Sequence, residues 1–93
     1  MKGLPYTIVS SQANTQTRLF KFDSDDEELK WHRDKEHRIV KLVSGHGWWL
    51  QLDNEMPQPI SCGQTYEIPA GVWHRAIKGK NSSDLVIEIQ MFM

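Results

Sequence analysis

At 93 residues and 10.8 kDa the chain has room for one domain, against roughly 100–200 residues for a typical one, which excludes dinucleotide-binding folds and TIM barrels. Eleven Lys and Arg against twelve Asp and Glu leave a formal net charge of −1, so there is no overall basic field to hold a phosphate backbone or an anionic bilayer, and neither nucleic acid nor membrane is an expected partner. A single cysteine, Cys62, rules out an intramolecular disulfide and a multi-cysteine zinc site and suits a reducing, cytoplasmic compartment.

The segment Met1 to Tyr6 lacks the apolar run of a secretory signal. No apolar stretch further on approaches the ~18 residues of a membrane span. A mature, soluble chain is expected. From there the pattern is strand-like almost throughout. Tyr6 to Val9 and Thr17 to Phe22 are short β-prone runs, separated by a Ser-Ser-Gln-Ala-Asn break at 10–14. Asp23 to Glu28 then places five acids in six positions. It lacks the spacing of a calcium loop and is expected to be a solvated connection. Further runs follow at Leu29 to His32, Arg38 to Val43, Trp48 to Leu52, Thr65 to Ile68, Trp73 to Ile77 and Leu85 to Phe92. Their breakers are Asp53-Asn54, Pro57 and Pro59, Pro69-Ala70-Gly71 and 79–83. In the last run Leu85, Ile87, Ile89 and Met91 share one parity while Glu88 and Gln90 take the other, the period of a strand with one buried face. No window carries a helical stripe and no internal repeat stands out. Short strands this regularly spaced predict an all-β sandwich or barrel, one domain over residues 1–93. Small size, four tryptophans and an apolar final strand at a sheet edge predict a homodimer.

Two stretches carry chemistry. In Trp31 to Gly45, His32 and Asp34 lie two apart and project from one face of an extended chain, a ligand-like pair. After a turn near Lys35 to His37, Arg38 shares parity with Val40 and Leu42. If those two face the core, Arg38 points inward and needs an anion: Asp34, or the carboxylate or phosphate of a bound molecule. In Gly63 to His74 a strand runs into Pro69-Ala70-Gly71 and re-emerges with His74. Pro69 fixes its own φ and Gly71 tolerates a positive one, so the turn aims the histidine.

The segment Gly63-x5-Pro69-x-Gly71-x2-His74 resembles the second signature of the cupin superfamily, with Lys78 where an asparagine often stands. His32-x-Asp34-x3-Arg38-x6-Gly45 resembles the first in spacing, with Asp34 in place of the second histidine and Arg38 in place of the glutamate. The signature segments are 31–45 and 63–78. The resemblance implies a small antiparallel jelly-roll β-barrel and a site formed by His32, Asp34 and His74. These are the donor types of a two-histidine, one-carboxylate set that suits Fe, Mn, Ni or Zn. Arg38 would be the anchor of an anionic substrate, and no organic cofactor is expected. The leading expectation is a metal-dependent enzyme, in its sharpest form a dioxygenase, acting on a small anionic molecule. The alternatives are a metal-free module binding a sugar or carboxylate, and an interaction protein whose barrel is only a scaffold.

Duller roles are expected elsewhere. His37 should be an exposed turn residue and His46 part of a hairpin turn. One of Trp48 and Trp49 should be core and the other a lining or interface aromatic. Trp31 and Trp73, each preceding an inward histidine, should face the other side of the sheet. Cys62 is expected to be a small buried filler, and Tyr66 and Glu67 core or surface residues.

Overall fold

The computed structural model describes residues 6–23 and 30–92. The described residues form eight strands: β1 (Thr7–Gln12), β2 (Thr15–Phe20), β3 (His37–Ser44), β4 (Trp48–Leu52), β5 (Gln58–Pro59), β6 (Thr65–Ile68), β7 (His74–Lys78) and β8 (Leu85–Phe92). They assemble into a five-stranded sheet of order β1-β2-β8-β3-β6 and a three-stranded sheet of order β5-β4-β7, with every pairing antiparallel. No described helix is long and apolar enough to cross a membrane.

The alternation along β8 sets the core. Leu85, Ile87 and Ile89 are buried, and Glu88 and Gln90 are exposed. The register places Val40 opposite Ile89 and Leu42 opposite Ile87, so β3 turns the same face inward. From the second sheet Trp48 enters this core at 1% exposure, packing on Phe20 at 6.3 Å between ring centroids. Its indole Nε1 donates to Ser83 O at 2.7 Å, which satisfies the one polar atom such burial would strand. Gly45 has φ +127°, and a Cβ there would meet Asp84 O at 2.7 Å. The exit from β3 passes too close to the chain before β8 for any side chain.

Several expectations are corrected. The final strand is not an edge: β8 lies between β2 and β3, its backbone groups paired along both edges by the two antiparallel ladders. The outer strands of its sheet are β6 and β1, and the six residues of β1 are all exposed. β1 runs through the expected break to Gln12, and the reversal is confined to Ala13 and Asn14, with Ala13 at φ 43°. A short strand containing Pro59 was not expected; proline is tolerated there because β5 is the outer strand of its sheet. Cys62 is exposed rather than buried, since it sits in the turn before β6, with Sγ 3.5 Å from Gly45 O. His37 opens β3, half-buried against Phe92, and its Nε2 is 2.7 Å from Glu67. The acidic segment from Ser24 onward and Leu29 lie outside the described residues. Of the expected Leu29 to His32 strand, only an isolated bridge from His32 to His74 is present.

Candidate metal centre

Three elements meet at one end of the barrel. The Pro69 to Val72 turn is closed by Val72 N donating to Pro69 O at 3.2 Å, with Gly71 at φ +77° where a side chain would be strained. Gly71 N donates to Asp34 O at 2.8 Å, which docks the turn on the approach to β3. His32 and His74 then exchange both backbone hydrogen bonds, His32 N to His74 O at 3.0 Å and His74 N to His32 O at 2.8 Å. Residues so paired lie directly opposite and project from the same face. The two imidazoles accordingly stack edge to face, 4.3 Å between centroids.

His74 is buried, and its Nδ1 is 2.9 Å from Val72 O; His32 Nδ1 is 2.9 Å from Lys30 O. A carbonyl oxygen can only accept, so each Nδ1 carries the hydrogen. In the neutral ring Nε2 then holds the lone pair. His74 Nε2 lies 3.3 Å from Asp34 Oδ2, a buried atom with no hydrogen-bond partner among the described residues. Two lone pairs facing each other at this range repel unless a cation, a proton or a metal ion, lies between them. One donor atom from each of His32, Asp34 and His74 can be chosen so that all three lie within 4.8 Å of one another. The 3.3 Å contact is already close to the roughly 3 Å between neighbouring ligands around an ion with ~2.1 Å bonds. The donor set therefore fits a divalent ion, with two imidazoles fixed in the ligating tautomer by backbone carbonyls.

Arg38 points inward as its parity predicted, with its side chain 14% exposed. Its Nη1 is 3.4 Å from Asp34 Oδ2, beyond a charge-assisted hydrogen bond. The main partner is one that sequence reasoning missed: Glu36 Oε1 accepts from Nη2 at 2.6 Å and from Nε at 2.9 Å. The signal was available, because Glu36 shares the even parity of His32, Asp34 and Arg38. With Glu36 closing on the guanidinium, much of the charge that would repel a cation beside Asp34 is offset.

Burial works against the charged form of Asp34. The His74 ring, the Arg38 guanidinium and the neighbouring histidine charges more than offset this and hold the carboxyl below its ordinary range. For His32 burial dominates and, with the His74 and Arg38 charges, pushes the ring below its ordinary value against the contrary pull of Lys30 O and Asp34. Asp34 is thus favoured as the carboxylate and His32 as the neutral ring, the forms that ligation by these two residues requires.

His32 and His74 both border a cavity of about 100 Å³. Arg38, Arg18 and Tyr66 line it with them, and the rest of the wall is apolar, mostly Leu and Ile side chains. The volume is below the ~150 Å³ that accommodates a benzene ring, so any molecule enclosed here is small. Of the tryptophan pair, Trp48 is core and Trp49 lines the cavity at 39% exposure. Trp31 and Trp73 stand outside.

Comparison with protein-family models finds no match, and neither does comparison with curated proteins. Solved structures do match. A candidate mannose-6-phosphate isomerase from Ralstonia eutropha JMP134 is similar over 95% of this chain and 83% of its own, with a TM-score of 0.70 at 12% identity. KdgF from Halomonas sp. is similar over 92% of this chain and 77% of its own, with a TM-score of 0.66 at 19% identity. A cupin-2 domain containing protein from Shewanella frigidimarina NCIMB 400 is similar over 99% of this chain and 84% of its own, with a TM-score of 0.66 at 18% identity. At these identities the likeness is one of fold, and the fold is the cupin jelly roll.

Proposed function

We propose that this small cupin-fold chain binds a divalent metal ion through His32, Asp34 and His74 and acts on a small anionic molecule in the adjoining cavity. The observation that carries the reading is the buried Asp34 Oδ2, without a hydrogen-bond partner among the described residues and facing His74 Nε2 at 3.3 Å, with both imidazole Nδ1 atoms tied to carbonyls. An ion held there would supply Lewis-acid polarisation of a substrate oxygen. Arg38 orients the substrate's anionic group by exchanging Glu36 for it, a change of partner that keeps the guanidinium paired throughout. The apolar walls strip water from the bound molecule and limit its size. We further infer a homodimer, with β1 as the outer strand a second copy would use, since Ile8 and Val9 are 43% and 60% exposed on it.

The test is thermal. Fe(II), Mn(II), Ni(II) or Zn(II) at a hundredfold excess over Kd adds about 2.7 kcal/mol to the folded state, which at roughly 4–8 °C per kcal/mol raises the Tm of a domain this size by about 10–20 °C. His74→Ala should abolish the rise. Absence of a shift with all four ions refutes the metal reading. The 3.4 Å approach of Arg38 to Asp34 favours a second reading, an anion pocket without metal; there a small carboxylate or phosphate stabilises chelator-treated protein and Arg38→Met removes the effect.

A further inference from the structure

The tripeptide Trp-His-Arg occurs twice, as Trp31-His32-Arg33 and Trp73-His74-Arg75, a short repeat that inspection for longer ones passes over. The two copies run antiparallel with His32 opposite His74. The pairing has a local two-fold axis through the bridge. On the inner side each histidine reaches back to the carbonyl two residues before it, at 2.9 Å in both copies. On the outer side the flanking residues cross over. Arg75 lies on the Trp31 ring at 4.9 Å from its centroid and Arg33 on the Trp73 ring at 5.1 Å. Each copy thus supplies an arginine to the other's tryptophan.

The bridge needs such support. It is isolated, with no named strand on the His32 side among the described residues, and the two segments share the two bridge hydrogen bonds and Gly71 N to Asp34 O at 2.8 Å. So few bonds restrain rotation of one arm about the other only weakly. Two contacts placed symmetrically across the pair add to that restraint, and each stacks a cation on an indole face, the ring best suited to it. The Arg75 end is anchored further, since its Nε donates to Gln51 Oε1 on β4 at 2.9 Å.

We propose that the repeated Trp-His-Arg segments form a two-fold clamp, in which Trp31, Arg33, Trp73 and Arg75 are positioning residues that hold the bridge closed and so set the separation and orientation of the two imidazoles. The proposal rests on the metal reading only for its consequence, because the clamp shapes the histidine pair whether or not an ion is bound. Residues that orient ligands from outside the ligand set typically change metal affinity by about 10–100-fold when lost. An exposed cation–π contact belongs at the low end, so about tenfold is expected for Arg33→Ala.

The experiment has two arms on the full chain. In the first, imidazole nitrogen and carbon-bound proton resonances of chelator-treated protein are recorded by NMR for the wild type, Arg33→Ala, Arg33→Lys and Trp31→Phe. Arg33→Ala should move His32 and His74 and mix their tautomers, while His37, which contacts Glu67 and Phe92, and His46 stay in place as internal controls. Arg33→Lys and Trp31→Phe, which keep a cation over a ring, should largely restore the wild-type pattern. In the second arm Zn(II) is titrated into the same proteins, with the tenfold loss expected for Arg33→Ala and recovery in Arg33→Lys. His32 and His74 resonances unchanged in Arg33→Ala overturn the clamp, as does a shift of all four histidines together, which marks general loosening. If the wild type takes up no Zn(II), the metal reading falls and the first arm alone decides the clamp.

Discussion

Glu36→Gln is the sharpest perturbation of the site, because Glu36 touches Arg38 yet is outside the His32, Asp34 and His74 donor group. In the wild type one carboxylate oxygen takes two guanidinium hydrogen bonds, at 2.6 and 2.9 Å, with the side chains 14% and 18% exposed. An exposed ion pair contributes about 0–1 kcal/mol, and breaking a buried one costs about 3–5 kcal/mol. A pair at this depth falls between, at about 2 kcal/mol. Among the described residues the guanidinium so released has Asp34 within reach at 3.4 Å, and would close on it to about 2.8 Å. Any ion must then displace it from that carboxylate. If roughly 1.4 kcal/mol of the lost pairing reappears as this competition, metal affinity drops about tenfold, although no ligand has been removed. Calorimetric titration of chelator-stripped protein with Mn(II), alongside urea melts in excess chelator, separates the two effects. A loss of stability with unchanged metal affinity would show that the Glu36–Arg38 pair is scaffold and that Arg38 does not communicate with Asp34.

The converse substitution, Arg38→Glu, should strengthen Mn(II) binding and weaken small carboxylates; equal affinities in the two proteins would place Arg38 outside the site. Leu42, 1% exposed against Ile87, should cost about 3–5 kcal/mol when changed to Ala, and a urea-derived loss under about 1 kcal/mol would contradict the packing. For pH, His32 is held below its ordinary 6.5, so the unfolded chain takes its proton first. This contribution is whole above 6.5 and is lost as pH falls through the folded value. Asp34, held below 3.8, follows the same sign in a more acid window. Its contribution is whole above 3.8 and declines as pH falls through the folded value. Scans of metal-free protein from pH 7.5 to 5 should show Tm falling less steeply in His32→Gln than in the wild type, and identical slopes would count against the assignment. Light scattering at micromolar concentration should report twice the 10.8 kDa chain mass, reduced toward the monomer by Ile8→Asp.

Parity was the most informative property of the sequence, and it worked wherever a strand had one wet face. The inward row of β8 and the inward turn of Arg38 were legible because a one-residue slip would bury Glu88 and Gln90. The meeting of His32 with Asp34 followed from the same rule, and that of His74 from the signature spacing. Glu36 was missed because parity is not expected to survive the bend at Lys35 and Glu36, yet its carboxylate still reaches the Arg38 guanidinium. The position of β8 was lost for another reason: alternation tells which face of a strand is covered but not how many neighbours it has. Cys62 shows the limit of residue preference. Cysteine favours interiors on average, yet the tight turn into β6 leaves no interior for it to enter.

The isolated bridge also bears on traffic. Residues 32 and 74 are joined by two hydrogen bonds at 3.0 and 2.8 Å, with Gly71 N to Asp34 O beside them, whereas the sheet of Leu42 and Ile89 is held by long ladders on both sides of β8. Opening the first does not require opening the second. Segments with so few backbone bonds detach at a fraction of the global unfolding free energy. The exposed His32 side of the cavity is therefore where local opening costs least, and where a doorway for a small molecule would form once the clamp and the Gly71–Asp34 bond give way with the bridge. An ion lodged across the two histidines would bolt that doorway, so that occupancy and admission compete and the free protein exchanges its contents faster than the loaded one.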